Sequence, residues 1–307
     1  MTESKNYRQF EQVAQRIDPR NKLLRAWELK GGVSAQVTAL EIERPDGKTQ
    51  KLIVRQHGAV DLQHNPQIAA DEFKLLQILR SAGLATPAPY YVGLSGDIFA
   101  SPFVVIEYID GETETVSADM SDVIQQMVTH LARIHAVDCS NPDVSFLPKQ
   151  EQRFAEKLRE RPMKLDESLG EGRIRNILES IGTFSGHNPP VLLHGDFWPG
   201  NILWRGGQLV AVIDWEDAAL GDPLADIANT RLEILWAFGM DAMASFTHHY
   251  QSITTIDFTN LPIWDLFAAL KPASKLAEWA ADDVAEQRMR EQHRLFVNQA
   301  FEKLAVQ

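Results

Sequence analysis

The chain has 307 residues, 44% hydrophobic and 23% charged, a composition typical of a globular protein long enough for two domains or lobes. Its formal net charge of −12 argues against nucleic-acid binding, which needs a basic surface, and is compatible with a cationic substrate. The sequence has no run of about 18 apolar residues, which a membrane span would need, so no membrane partner is predicted. The polar start MTESKNYRQFEQ lacks the apolar core of a secretory signal. The single cysteine, Cys139, excludes an internal disulfide, so we expect a cytoplasmic protein.

The first hundred residues have the hydrophobic pattern of a small sheet. Apolar residues at helical spacing predict a helix over 6–17, which Asp18-Pro19 ends. Asn65-Pro66 predicts the start of a second helix, with asparagine as its N-cap, and Gly83 its end. Strands are predicted at 23–29, 35–44, 51–56, 92–94 and 103–108. We therefore predict a five-stranded antiparallel sheet with one interposed helix.

The rest of the chain is predicted to be mainly helical. Helical spacing covers 119–136, most of 151–183, and the chain from 222 to its end, with a short β region at 191–214. The fold class is therefore α+β, with a β-rich part at 1–108 and a mainly helical part at 109–307.

Residues 194–204, HGDFWPGNILW, place polar side chains between two apolar runs. Residues 202–204 and 208–213 are predicted to form a hairpin. Continuing its register brings Asp196, Asn201 and Asp214 to one end, because neighbouring strands lie about 5 Å apart. Two carboxylates and an amide oxygen suit Mg²⁺, which prefers oxygen ligands and commonly shares its shell with substrate phosphates.

The order of these three residues also suggests how they divide the work. A carboxylate that does not bind metal can orient or deprotonate an attacking hydroxyl, and Asp196, which precedes the amide in the loop, is the candidate. Asn201 and Asp214 then hold the metal. An aspartate followed five residues later by an asparagine, and then by a metal-binding aspartate, is the arrangement of protein kinases.

The segment LLHGDFWPGNILW, followed by VIDWEDAALGDPLADIA, resembles the aminoglycoside phosphotransferase family, a small-molecule branch of the protein-kinase-like fold related to choline and homoserine kinases. HGDxxxxN with the downstream IDWE and GDPxxDIA is specific in combination. The resemblance implies a bilobal protein-kinase-like fold with a nucleotide-binding first lobe and a second lobe that carries the catalytic loop and the acceptor site. It implies ATP and Mg²⁺ as cofactors, Asp196 as the catalytic carboxylate, and Asn201 and Asp214 as metal ligands.

Three further residues lie near these motifs. Glu216 and His194 each have two interpretations, and Asp226 has one. Glu216 shares a strand face with Asp214 and either assists the metal or faces solvent. His194 is a general base by residue type, whereas the resemblance makes it a support for the loop. Asp226, in GDPLADIA, resembles the family acid that hydrogen-bonds the catalytic-loop backbone.

Arg55, in LIVRQ, stands where protein kinases carry a strand lysine. Its guanidinium can grip phosphate oxygens in bidentate fashion, although a surface arginine on an edge strand fits the same pattern. Glu72 falls on the apolar stripe of the helix after Asn65-Pro66, between Ile68 and Leu75. A buried glutamate needs a cationic partner, and Arg55 is the predicted one.

Two backbone segments are also predicted to contact ATP. Gly31 and Gly32 would let backbone amides approach the phosphates, and Ser34 would add a hydroxyl, although a Gly-Gly pair also makes an ordinary hairpin turn. The backbone of Glu107, Tyr108 and Ile109 matches the hinge between lobes, where backbone groups meet adenine.

The predicted function is transfer of the γ-phosphate of ATP to a hydroxyl of a small molecule. One alternative is a non-catalytic, kinase-like nucleotide-binding protein, which the missing lysine allows. Another is a metal-dependent phosphohydrolase, which needs a second metal cluster that the nine histidines do not form. Choline-like amines, sugars, amino-acid alcohols and hydroxy-acyl compounds all fit as acceptors. Acids in the general region of the acceptor could bind a cationic amine or be ordinary surface and capping acids, and aromatics there could line the pocket or belong to the core. These residues are Asp217, Asp222, Glu233, Asp241, Trp236, Phe238 and Trp264.

Overall fold

The computed structural model describes residues 2–29, 35–94, 96, 98–114, 119–140, 143–182 and 187–305. The chain divides into two compact units, a first unit of Met1–Gly111 with Val210–Glu216 and a second unit of Glu112–Leu209 with Asp217–Gln307. Within the described ranges, no helix has the length and apolar character needed to cross a membrane.

The first unit contains the predicted five-stranded antiparallel sheet, with strand order β1-β2-β3-β5-β4. β2 and β3 pair without interruption along nine residues each. β4 begins at Pro89 rather than at residue 92, because proline is tolerated in an edge strand. The strands are β1 (Lys22–Glu28), β2 (Ala35–Glu43), β3 (Thr49–His57), β4 (Pro89–Gly93) and β5 (Phe103–Glu107).

One face of this sheet is covered by the first helix, α1 (Thr2–Ile17), which begins four residues earlier than predicted. Phe10 of α1 lies 5.4 Å from the ring of Phe99, and Phe99 meets Phe103 of β5 edge-on at 5.0 Å. Leu52 and Val54 of β3 join the same buried cluster. Because side chains alternate along a strand, Arg55 points to the opposite face.

Two helices, α2 (Ala59–His64) and α3 (Ile68–Ser81), lie between β3 and β4, where the sequence predicts only one. The predicted cap is wrong: α3 follows Gln67, and the Asn65 side chain instead accepts the backbone N–H of Gln67 in the turn between the helices. No residue of α2 is buried, so α2 has no apolar stripe that a hydrophobic pattern could reveal.

The predicted ion pair joins β3 to α3. Arg55 Nη1 lies 2.9 Å from Glu72 Oε1, and His57 Nε2 lies 3.0 Å from the other oxygen of the same carboxylate. Both partners are buried. Burial alone would raise the pKa of Glu72, but the charge of Arg55 and the contact with His57 outweigh it and hold the pKa at about 2.

The second unit is mainly helical, as predicted. Its helices are α4 (Met120–His135), α5 (Gln150–Arg159), α6 (Glu171–Ile181), α7 (Leu224–Phe238), α8 (Met240–Ile253), α9 (Leu261–Ala268), α10 (Leu276–Trp279) and α11 (Asp283–Ala305). β6 (Val191–Leu193) pairs with β9 (Ala219–Gly221). β7 (Ile202–Arg205) and β8 (Gln208–Val212) form the predicted hairpin, and the division between the two units falls within β8.

Helix α7 lies at the centre of the second unit, because eleven of its 15 residues are buried. One of them, Arg231, makes a bidentate ion pair with Asp265 of α9, with nitrogen–oxygen distances of 3.0 and 3.2 Å. Both side chains are buried, so this pair fixes α9 against α7.

Replacing Arg231 by Met should lower the free energy of unfolding by about 3–5 kcal/mol, because Asp265 would remain buried without its cation. The matched control is Arg161→Met, which breaks a pair with Glu179 whose two side chains are 39% and 40% exposed. We expect the control to lose less than about 1 kcal/mol. Urea denaturation of both variants measures the difference, and equal losses would contradict the assigned role of the buried pair.

The Arg55–Glu72 pair predicts a specific dependence of stability on pH. The pKa of Glu72 is about 2 in the folded chain and about 4.3 in an unfolded one. The pair therefore contributes its full stability above about pH 4.5 and loses it as the pH falls towards 2. Glu72→Gln should be less stable than the wild type at pH 7 and flatter between pH 5 and 2 in denaturant titrations. An unchanged slope in that range would refute the assignment.

Candidate active site

The loop between β6 and β7 carries the HGDFWPGN motif, and side chains of α7 hold its backbone. The Asp226 carboxylate accepts the backbone N–H groups of His194 at 2.7 Å and Gly195 at 2.8 Å. The Thr230 hydroxyl donates to the carbonyl of Phe197 at 2.8 Å. Asp226 and Thr230 are about one helical turn apart, so one face of α7 sets the shape of the loop.

The buried carboxylate of Asp226 is also bound to the side chain of His135. His135 Nε2 lies 3.1 Å from Asp226 Oδ2, and its Nδ1 lies 2.6 Å from the hydroxyl of Tyr250. Burial alone would raise the pKa of Asp226, but His135, His194 and the backbone N–H bonds lower it below its usual range. The hydrogen bonds expected of Asp226 are therefore present, and they favour its ionised form.

The first two residues of the motif serve the conformation of the loop. Gly195 has φ +82°, and a Cβ there would lie 2.1 Å from the carbonyl oxygen of Asp217, so only glycine fits. The ring of His194 is fully buried, and its Nδ1 accepts the backbone N–H of Asp196 at 3.2 Å. This contact favours the supporting interpretation of His194 over that of a general base.

Asp196 is held at both carboxylate oxygens. Asn201 Nδ2 donates to Asp196 Oδ2 and to the Asp196 carbonyl, each at 3.0 Å. Lys271 Nζ lies 2.5 Å from Oδ1. The Asp196 side chain is 26% exposed, so a small molecule can still reach it. With the Asn201 nitrogen bound to Asp196, Oδ1 is the atom of that amide suited to a cation.

Lys271 is a residue that the sequence analysis missed. It follows α9 in the segment LFAALKPAS, and its ammonium also lies 3.3 Å from Asn229 Oδ1. Burial alone would lower the pKa of Lys271, but Asp196, Asp217 and Glu233 raise it, so the side chain stays charged. The only available signal was a lysine directly after an apolar helix and before a proline, which has no fixed spacing from the HGD motif.

Among the acids suggested for the acceptor region, Glu233 lies close enough to Asp196 for their charges to interact. Burial raises the pKa of Glu233 to about 7, Lys271 opposes the rise, and the like charge of Asp196 adds to it. Asp217 and Asp241 are exposed. Asp222 is instead buried and structural, since it accepts hydrogen bonds from Asn188 and from the backbone N–H of Leu224.

The aromatic side chains suggested for the same region differ in their surroundings. Trp264 is fully buried, and its ring lies 5.8 Å from Phe154 and 6.0 Å from Phe267. Trp236 donates its indole N–H to the carbonyl of Met289 at 3.1 Å. These contacts explain both tryptophans by packing, without an acceptor molecule.

In the first unit, Arg55 binds two carboxylates besides Glu72. Its Nη2 lies 2.6 Å from Asp214 Oδ1 and 2.5 Å from Glu216 Oε2. Burial alone would lower the pKa of Arg55, but these carboxylates raise it. Asp214 has φ +65°, a left-handed conformation that non-glycine residues adopt rarely, although aspartate does so more often than most.

The carboxylates of Glu72, Asp214 and Glu216 form a cluster around Arg55, and oxygens of this cluster fit a divalent cation. One guanidinium faces three carboxylates, so the cluster carries excess negative charge, and the Asp214 side chain is 37% exposed. Carboxylate oxygens are the ligands that Mg²⁺ prefers. Across the described part of the chain, no three His, Cys, Asp or Glu side chains gather into a metal-binding group. Amide, water or phosphate oxygens would therefore complete the shell, as is usual for Mg²⁺.

The predicted nucleotide contacts are placed only in part. Gly31, Gly32 and Ser34 lie outside the described residues. The backbone N–H of Glu107 donates to the carbonyl of Ala88 at 2.8 Å, and that of Tyr108 to the carbonyl of Lys51 at 3.4 Å. The backbone N–H groups of Glu107 and Tyr108 are thus bonded within the first unit, and contact between adenine and the backbone of residues 107–109 stays a prediction.

The chain is similar to several known proteins, of which three are described. Acyl-CoA dehydrogenase family member 11 of Rattus norvegicus is 26% identical over 237 residues, which cover 65% of this chain and 29% of that protein. The chain thus spans less than a third of the length of this dehydrogenase family member. A homoserine kinase of Beijerinckia indica is 26% identical over 227 residues, 67% of this chain and 68% of that protein. The GDP complex of aminoglycoside 2'-phosphotransferase-IIIa superposes with a TM-score of 0.64 at 17% identity, over 96% of this chain and 99% of that one.

The structural likeness over almost the whole chain shows the protein-kinase-like fold of these phosphotransferases. Residues 27–257, more than half of the chain, match the phosphotransferase enzyme family. The chain belongs to the phosphotransferase enzyme family.

Proposed function

We propose that the protein transfers the γ-phosphate of ATP to a hydroxyl group of a small molecule, and that it does so in the cytoplasm. The observation that carries this proposal is the Asp196 carboxylate, which is partly exposed and bound at both oxygens within a loop fixed by buried Asp226. Such fixation is what phosphoryl transfer requires, because its catalysis is mostly positioning and charge stabilisation.

In the proposed reaction, Asp196 accepts a hydrogen bond from the acceptor hydroxyl and orients the hydroxyl oxygen for in-line attack on the γ-phosphorus. As the new oxygen–phosphorus bond forms, the bond from that phosphorus to the bridging oxygen breaks, ADP leaves, and Asp196 takes the hydroxyl proton. Asn201 would bind Mg²⁺ through Oδ1 and Asp214 through its carboxylate. The metal, when bound, neutralises charge on the phosphate oxygens. Arg55 would position the phosphates, with Glu72 holding its guanidinium in place.

The remaining ATP contacts and the acceptor belong to the same proposal. Gly31, Gly32 and Ser34 would approach the phosphates, and the backbone at Glu107, Tyr108 and Ile109 would lie against adenine. The candidate acceptor classes differ in charge, and a cationic amine would suit Glu233, since a nearby cation would favour the ionised form of this carboxyl. The homoserine kinase and aminoglycoside phosphotransferase relatives are both named for small molecules that they act on.

A second candidate is a nucleotide-binding protein without transferase activity. The observation that favours it is the state of Arg55, whose guanidinium is bound to Glu72, Asp214 and Glu216. Three of the five N–H donors of Arg55 are bound to these carboxylates, which leaves two for a phosphate. Binding of ATP and Mg²⁺ in calorimetry, with no transfer to any acceptor of a broad panel, would support this candidate.

Asp196→Asn should reduce phosphate transfer by about 100- to 10,000-fold, because the amide keeps the shape of the side chain but loses its charge and basicity. Mass spectrometry detects the phosphorylated products after incubation of ATP and Mg²⁺ with a panel of hydroxylated metabolites and drugs. The matched control is Asp46→Asn, at an exposed position in the turn between β2 and β3, which should keep full activity. Melting temperatures verify that both variants fold. Undiminished transfer by a folded Asp196→Asn variant would exclude the mechanism.

A further inference from the structure

We propose that Lys271 is a positioning residue for Asp196, which holds its carboxylate in the one orientation that phosphoryl transfer needs. The inference rests on the proposed function and adds a residue that the HGD motif does not contain. Its basis is the 2.5 Å contact between Lys271 Nζ and Asp196 Oδ1.

The fold fixes the backbone that leads to Lys271 through two buried contacts. α9, which ends just before it, is held to α7 by the Arg231–Asp265 pair. The carbonyl of Ala269 lies 2.9 Å from Nε2 of His293 on α11, and both residues are buried. A lysine anchored in this way presents its ammonium from a defined origin, unlike a lysine on a mobile surface segment.

The ammonium itself lies between the catalytic loop and α7. A lysine has three N–H donors, and here one faces Asp196 Oδ1 while Asn229 Oδ1 accepts another at 3.3 Å. Asn229 is buried and lies on the face of α7 that also carries Asp226 and Thr230. One helix face therefore holds the loop backbone directly and the Asp196 side chain through Lys271.

The two contacts of Asp196 have different consequences for its carboxylate. Asn201 belongs to the same loop and binds Oδ2, so it moves with that loop. Lys271 comes from a different element and binds Oδ1, so it ties the carboxylate to the body of the second unit. With both oxygens bound, the carboxylate has one orientation, and each oxygen keeps a lone pair that a substrate hydroxyl can use.

Loss of the contact between Lys271 and Asp196 should slow the chemical step, since displacement of a catalytic group by about 1 Å can reduce the rate about 100-fold. We expect Lys271→Met to lower kcat by about 10- to 100-fold and to change the KM for ATP by less than about twofold. Lys271→Arg, which keeps a charged donor, should recover part of the loss. The matched control is Lys275→Met, an exposed lysine of the same segment, which should behave as the wild type.

The decisive experiment is a double-mutant cycle on Lys271 and Asp196, measured as single-turnover phosphate transfer from ATP and Mg²⁺ to the best acceptor of the panel. If Lys271 acts through Asp196, Lys271→Met removes no further activity from Asp196→Asn. Losses that multiply in the double variant would overturn the inference, as would full kcat in a folded Lys271→Met variant. Either result leaves the proposed function intact if Asp196→Asn alone shows the reduction of about 100- to 10,000-fold expected above. A wild type that transfers phosphate to no acceptor instead rejects the proposed function and the inference with it.

Discussion

The candidate site depends on one buried carboxylate. Asp226 accepts two consecutive backbone amides of the HGD loop, and His135 adds a third contact, so that the loop has little freedom to change shape. A buried carboxylate is costly unless its hydrogen bonds and charge are satisfied, and this one is satisfied by the loop that it organises. The same helix face reaches the Asp196 side chain through Asn229 and Lys271. Helix α7 therefore holds the loop backbone at the two residues before Asp196 and, through Lys271, the Asp196 side chain.

In the first unit, the side chains around Arg55 carry more negative than positive charge. Arg55 is one cation among the carboxylates of Glu72, Asp214 and Glu216. Glu72 is buried, whereas the Asp214 and Glu216 side chains are 37% and 23% exposed. The buried partner thus fixes the guanidinium, and the more exposed pair supplies the oxygens and excess negative charge that suit a divalent cation. Under the proposed function, a cation bound there would compete with Arg55 for the same carboxylates, and so free N–H donors of Arg55 for phosphate oxygens.

Sequence patterns predicted the strands and helices that depend on the spacing of apolar residues within one segment. Hydrophobic period marked the five strands and the long helices, and a glutamate on the apolar stripe of α3 required the pairing with Arg55 that is present. Asn65 is not the cap of α3 because its side chain closes the turn before that helix. Asparagine favours both helix caps and turns, so its propensity alone does not decide between the two. α2 buries nothing, and Lys271 meets Asp196 only because α9 docks on α7. Contacts that arise from packing between distant segments carry no spacing that one sequence can reveal.

Amide hydrogen exchange at His194 and Gly195 measures most directly whether Asp226 organises the loop. The account predicts that these two amides exchange as slowly as buried amides in the middle of α7, because their hydrogens are bound to a buried carboxylate. Asp226→Asn, which weakens both bonds, should accelerate their exchange by at least about 10-fold and leave amides of α1 unchanged. Rapid exchange of both amides in the wild type would contradict the account, because the loop would then owe its shape to something other than Asp226.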